Sequence, residues 1–250
     1  MIKIIERELL YIWFNFLKCF GAIILYWLIG LAVESFINVF LRRRKLETGQ
    51  ERLAVFFMAS ALLNPRVVIL SISLGIKAFV VRIIVSLVCI TFAVLLVHFL
   101  CKEKIDEFKA PAADISGSNI FVIFLKDFLH GIKKHAPGFI GGVFLASFIL
   151  LYLPNTILGI MFGESKVLQV LTGAGLGIPM MLCGDGEVLL LKGWMNHGMC
   201  MGSAAAFMIT CRAPRPSYLI RLKKLAGIKK VLVYIVYILV FSFAAGMLSI

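Results

Sequence analysis

What most constrains this chain is a series of nearly unbroken apolar stretches, each about as long as a bilayer is thick. Residues 78–100 and 231–250 are two of them. A helix needs about 20 apolar residues to cross a hydrocarbon core of ~30 Å. Hydrophobic residues make up 61% of the 250, and one water-soluble core of this size cannot hide so much apolar surface. The expected class is therefore all-α, a polytopic integral membrane protein. No long polar segment is left from which a water-soluble domain could be built.

The formal net charge is +13, and the basic residues sit in blocks at the ends of apolar runs. Arg42, Arg43, Arg44 and Lys45 form one block, and a second runs from Arg212 to Lys230. Nucleic-acid binding would account for the total charge. The placement fits better with the enrichment of Lys and Arg in cytoplasmic loops, so nucleic acid is not an expected partner. The six cysteines do not form a secreted disulfide framework, and Cys19 and Cys89 lie inside apolar runs, where thiols act as small hydrophobes. Residues 1–7 precede no small-residue cleavage site and read as a retained segment.

Seven apolar segments follow one another. Segment A, within 17–41, contains Glu34. Segment B, 53–74, is interrupted by Asn64-Pro65. Proline removes a donor and clashes with the preceding turn, so B is expected to kink or break there. A turn at Gly75-Ile76-Lys77 leads to segment C, 78–100, with Arg82 near its start. Residues 101–118 are a charged linker carrying Pro111. In 119–135 the apolar Phe121, Phe124, Phe128 and Ile132 recur near helical spacing against Lys126, Asp127, His130, Lys133 and Lys134. That pattern predicts an amphipathic helix lying on the membrane surface. Segment D spans 136–158, E 167–191, F 199–213 and G 231–250.

Segment E carries Gly173, Gly175, Gly177 and Pro179, then Cys183-Gly184-Asp185-Gly186-Glu187. Glycine and proline at this density argue against a regular helix crossing lipid. Charge sidedness agrees. If 42–52 is cytoplasmic and both E and F cross, the basic block 212–230 falls outside, against the positive-inside bias. With E as a re-entrant hairpin the block stays inside, and Lys45 and Lys224 share a face.

F then runs opposite to B, and the halves resemble each other. Residues 54–60 precede Asn64-Pro65 and Gly75, while 204–210 precede Arg215-Pro216 and Gly227. A proline-broken helix at corresponding positions of two halves points to a transporter site. The expected organisation is a first membrane repeat at 1–100, a linker with an interfacial helix at 101–135, and a second repeat at 136–250. It holds about six transmembrane helices, the hairpin and an inverted two-fold repeat.

The region 180–211 is chemically dense. Met180, Met181, Met195, Met199, Met201 and Met208 accompany Cys183, Cys200 and Cys211. Thiolates and thioethers suit soft species such as Cu(I) and, by the same chemistry, trivalent arsenic. Methionine is also a common apolar filler. Cys183 stands out because Gly184 and Gly186 leave the backbone near it open. A single thiol holds a soft cation weakly, so a second donor is expected. Cys200 is the favoured partner, with Met180 on the same helical face as Cys183.

Asp185 and Glu187 are costly in a membrane unless they meet water or a partner. Lys192 or Arg212 would supply the partner, whereas proton coupling or cation binding would be the functional role. Asn64 can satisfy backbone groups freed by Pro65 or contribute to the site. No H-E-x-x-H and no G-x-S-x-G occurs, and no second aspartate lies in a convincing span, so an enzyme is not expected.

The run Gly177-Ile178-Pro179-Met180-Met181-Leu182-Cys183, then Gly198, then Gly202-Ser203-Ala204-Ala205-Ala206-Phe207-Met208 and Pro214 resembles the bacterial predicted-permease family that includes organoarsenical efflux permeases. Ala61-Leu62-Leu63-Asn64-Pro65 with Gly75 is similar to the family's first-half signature. The likeness covers roughly 54–100 and 134–240. The family's first-half cysteine motif is missing, since 30–44 contains no cysteine, and the chain is shorter than is usual for the family.

The resemblance implies a permease of the bacterial cytoplasmic membrane that exports a small soft-metal or metalloid species. It would hold no cofactor. Its partners would be the lipid bilayer, a small-molecule or ion substrate, and either a second copy or another membrane subunit. Cys183, Asp185, Glu187, Asn64 and Cys200 would bind substrate, with Cys183 and Met180 as metal ligands. The alternative is a non-transporting scaffold within a larger membrane complex.

Overall fold

The computed structural model describes residues 2–41, 48–49, 59, 61–100, 107–108, 120–163, 165–214 and 216–249. The basic block at Arg42–Lys45 and nearly all of the 101–118 linker lie outside the described residues. The elements are α1 (Ile2–Leu41), β1 (Thr48–Gly49), α2 (Pro65–Leu70), α3 (Ile76–Leu100), β2 (Glu107–Phe108), α4 (Ile120–Tyr152), α5 (Asn155–Met161), α6 (Lys166–Met180), α7 (Glu187–Asn196), α8 (Met201–Arg212) and α9 (Pro216–Leu248). The two strands are a two-residue antiparallel pairing, and the other described residues are helix, turn or short connections. The protein is an all-α polytopic membrane protein.

Among the described residues, five helical stretches are long and apolar enough to cross a membrane: Glu6–Val39, Ile76–Leu95, Phe121–Tyr152, Lys166–Asn196 and Gly227–Leu248. Their outward faces carry large apolar side chains such as Leu25, Ile84, Phe148 and Val236.

α1 and α4 form an antiparallel pair. Tyr152 Oη meets Glu8 at 3.4 Å, Asn15 donates to the Ser147 carbonyl at 3.2 Å, Phe20 packs on Phe139, and Leu31 lies against Gly131. α4 runs unbroken through Pro137. The stretch 120–135, expected as a separate interfacial helix, is therefore continuous with segment D. Phe128 and Ile132 pack onto the core cluster that contains Leu31, while Phe121, Val122, Leu125 and Leu129 stay exposed.

Segment B is broken where Asn64-Pro65 predicts. Ala61 and Leu62 are helical, and Asn64 then leaves the helix and caps α2, its Oδ1 accepting from the Arg66 N–H at 3.0 Å. Proline at the first position of α2 loses no hydrogen bond that the helix would have used. A 3₁₀ turn, Ser71–Leu74, ends α2, and Gly75 at φ 109° starts α3. A side chain at that φ would be strained.

Lys166–Asn196 is long enough to cross as one helix, but it folds back. A straight helix would hold Gln169 and Trp194 about 37 Å apart at 1.5 Å per residue. Instead Gln169 donates to the Phe162 carbonyl at 3.1 Å, the Phe162 and Trp194 rings lie 5.9 Å apart, and the Cys200 N–H reaches Gln169 Oε1 at 3.1 Å. The start of α6 and the end of α7 therefore sit at one end, and Met181–Gly186 is the tip of a hairpin. Gly184, at φ 53° and ψ −121°, makes the bend.

α8 runs parallel to α6, with Ser203 against Gly173 and Thr210 against Gly177. All of Gly202–Arg212 is buried, which makes this short helix the central pillar. α9 then returns antiparallel to α8, since Gly246 packs on Gly202 and Val170 and Tyr234 donates to the Ala213 carbonyl at 2.9 Å. Gly227, at φ 80°, interrupts α9. About six transmembrane helices were expected. That count took A, B, C, D, F and G as spans with E re-entrant; among the described residues A, C, D and G lie in long spans, B breaks at Asn64 before the short α2, and F is a buried helix of 12 residues.

These directions place the exposed Lys134 and Lys223 at the end opposite the exposed Lys192. In a background free of reactive thiols, K134C and K223C should be labelled by an impermeant maleimide from one side, and K192C only from the other. Labelling of all three from the same side would show that the hairpin crosses.

Candidate functional site

The hairpin tip sets the site. Gly142 of α4 crosses the tip so closely that a Cβ there would strike the Cys183 carbonyl, and a Cβ on Gly186 would strike the Gly142 carbonyl. Contact at backbone distance fixes the tip's depth and holds Asp185 and Glu187 inside the bundle. The end of α8 brings Arg212 to the same place, the start of α2 brings Arg66, and α3 brings Arg82. α1 supplies Trp27 and Glu34.

The contacts form one chain. Arg66 Nε lies 2.7 Å from Glu34 Oε2, and Arg66 Nη1 lies 3.4 Å from Asp185 Oδ2. Trp27 Nε1 donates to Asp185 Oδ2 at 3.0 Å, and Arg212 Nη2 donates to Asp185 Oδ1 at 3.1 Å. Arg212 Nε stands 2.8 Å from Glu187 Oε2, while Arg82 Nη2 donates to Glu187 Oε1 and Arg82 Nη1 to Ser71 Oγ at 2.7 Å. The two Nε contacts are ion pairs at short range in which the N–H does not line up as a hydrogen bond.

Among the described residues three guanidinium groups thus face three carboxylates, so these six groups together are neutral when all are charged. Glu187 is fully buried, and Arg66, Arg82 and Arg212 are nearly so. Charges in such a place persist only when paired, and removing one partner is far more damaging than exchanging both for apolar groups.

The sequence-derived candidates separate into three groups. Asp185, Glu187 and Asn64 come together: the two acids join the network, and Asn64 caps the helix that begins with Arg66's turn. Of the two partners considered for the acids, Arg212 is used and Lys192 is exposed. Cys183 is completely buried at the tip, and Cys211, buried next to Arg212, belongs to the same core cluster. Of the glycines beside Cys183, Gly186 serves close packing on Gly142 and Gly184 supplies the bend. Cys200 is elsewhere. It caps the far end of α8, its Sγ accepting from the Ser203 N–H at 3.4 Å, about 16 Å along the helix from Cys211. Met180 packs on the core beside the tip. Among the described residues no group of three His, Cys, Asp or Glu side chains is placed to hold a metal ion.

Arg66, Arg82 and Trp27 were not singled out from the sequence. The signal was available, since Arg82 lies well inside an apolar run and Arg66 follows the Asn64-Pro65 break. Two buried carboxylates in another segment call for such partners.

A polytopic helical bundle with a broken helix, a re-entrant hairpin and buried charges at their meeting point is the architecture of a membrane transport protein. The chain belongs to the ArsP_1 predicted-permease family, whose model matches residues 35–249. It is a membrane permease by that membership. No curated protein and no solved structure matches it.

Two stability outcomes follow. Glu187→Gln leaves Arg82 and Arg212 short of counter-charge and should cost about 3–5 kcal/mol. Glu187→Gln with Arg82→Met should recover part of that loss in thermal unfolding of the purified protein; a double variant worse than the sum of the singles would contradict the pairing. Gly142→Ala should destabilise by roughly 1–3 kcal/mol through overpacking against the tip, whereas Gly141→Ala, with open space around it, should not.

Proposed function

We propose that this permease exports a small thiophilic species, similar to a trivalent arsenical, across the bacterial cytoplasmic membrane. The observation that carries the reading is the placement of Cys211, next to the Arg212 that reaches Glu187, in the same buried cluster as Cys183 of the hairpin tip. Two neighbouring thiols meet the preference of soft metalloids for sulfur, and the adjacent charge network offers a means of coupling to protons. Cys211 takes the place given to Cys200 as second donor.

The two broken segments support alternating access. Gly75 (φ 109°, ψ 159°) follows one and Gly227 (φ 80°, ψ 167°) follows the other, and each opens a long apolar helix. This likeness favours the inverted repeat. Rocking one half about the other would open the tip to each side in turn. Positive-inside bias makes the end with Lys134 and Lys223 cytoplasmic, so the hairpin is inserted from the opposite face.

The test is flux of a phenyl trivalent arsenical into or out of vesicles holding the full-length protein. Cys183→Ser and Cys211→Ser should each lower flux at least tenfold at equal protein content, and Cys200→Ser should stay within about twofold of the unmutated protein. If all three variants match it, sulfur does not carry the cargo, and the scaffold reading gains if no solute moves at all.

A further inference from the structure

We propose that Glu34 is the group through which the buried network exchanges a proton with water, and that Arg66 passes the change to the hairpin tip. This deepens the permease reading by naming its coupling residue.

The three carboxylates are not equivalent. The Glu187 side chain is 0% exposed and is paired with both Arg82 and Arg212. Asp185 is 10% exposed at its side chain and is held by Trp27, Arg66 and Arg212. Protonating either would leave buried guanidinium groups without enough counter-charge, which is strongly unfavourable. Glu34 is 20% exposed at its side chain, and among the described residues its ionic partner is Arg66 alone. Water reaches Glu34 best, and losing its charge disturbs the fewest partners.

Arg66 lies between two acids, 2.7 Å from Glu34 and 3.4 Å from Asp185. A proton taken from water onto a Glu34 carboxylate oxygen forms one O–H bond and takes the network from neutral to +1. Arg66 then keeps one carboxylate contact, to Asp185, which it shares with Arg212. The response is confined to the side chain, because the backbone at Arg66 is fixed. A Cβ on Gly30 would lie 2.7 Å from Arg66 Cα, and Asn64 caps the Arg66 N–H. Protonation therefore undoes the ionic link between α1 and the broken segment while keeping the link to the hairpin.

Among the described residues, the other titratable groups near this part of α1 lie on α4. Leu31 faces Gly131, which puts Asp127, His130, Lys134 and His135 on the neighbouring turns, and Asp127 and His135 have partners of their own. None of these is changed by Glu34→Gln, which keeps the shape and an acceptor for Arg66.

The experiment is infrared difference spectroscopy of the full-length protein in lipid nanodiscs, titrated from neutral to acidic pH. The protonated-carboxyl signal should lose one group in Glu34→Gln, regain it in Glu34→Asp and be unchanged in Glu187→Gln. An unchanged spectrum in Glu34→Gln, or a loss seen in Glu187→Gln instead, overturns the assignment. In vesicles, flux of the phenyl arsenical driven by a pH gradient should fall at least tenfold in Glu34→Gln and lose its dependence on pH. If the unmutated protein moves no arsenical, the cargo reading fails, while the infrared result still decides the proton site.

Discussion

Arg212 holds Asp185 with one nitrogen and Glu187 with another, at the buried end of a helix that has no exposed face between Gly202 and Arg212. A charge carried to that depth has to find its counter-charge inside the protein, because neither lipid nor a dry core supplies one. Two acids against one arginine would leave an excess of negative charge. Arg66 and Arg82 remove it, and Glu34 balances the third guanidinium. The six groups come from α1, α2, α3, the hairpin and α8, so no one of these elements is stable in place without the others.

The broken backbone is what allows the charges to meet. A regular helix passing through the bundle offers side chains only along its flanks, with its polar ends at the two surfaces. The bend at Gly184 and the break at Asn64 bring helix ends into the interior, where short polar side chains and free backbone groups can serve the cluster. Depth is then set by glycine. Between helices in lipid there is little hydrophobic drive, so close packing of small residues carries the association. Gly142 against Gly186, Gly30 against Arg66 and Gly173 against Ser203 are such crossings, each leaving no room for a Cβ.

Much of this was legible in the sequence for physical reasons. Apolar length identified the long helices containing 78–100 and 231–250, since bilayer thickness acts on composition directly. Asn64-Pro65 announced a break because proline cannot donate, and the glycines of 173–186 announced a departure from regular helix. What could not be read was partnership. Arg82 and Glu187 are 105 residues apart in the chain, and no local pattern pairs them. Pro137 is the opposite case, a proline inside an unbroken helix. Proline weakens a helix locally, but α4 packs on α1 along both sides of it, and that packing holds the helix continuous. Cys200 was favoured over Cys211 as the second donor, and only the direction of α8 shows that the Cys211 end of that helix is the one that reaches the tip.

The ionic contacts also divide the bundle into two groups of unequal connection. Glu187 ties the hairpin to α3 through Arg82 and to α8 through Arg212, and Asp185 adds a second tie to α8. On the other side, Glu34 and Arg66 tie α1 to α2, with Gly30 letting the two backbones touch. Among the described residues, the links between the groups include the 3.4 Å contact from Arg66 to Asp185, the hydrogen bond from Trp27 to the same carboxylate, and the hydrogen bond from Arg82 to Ser71 at the end of α2. Asp185 is thus the one acid shared by both groups. Any relative movement of the two must lengthen or replace its bonds to Arg66 and Trp27, while the three ties made through Glu187 and Arg212 can stay intact.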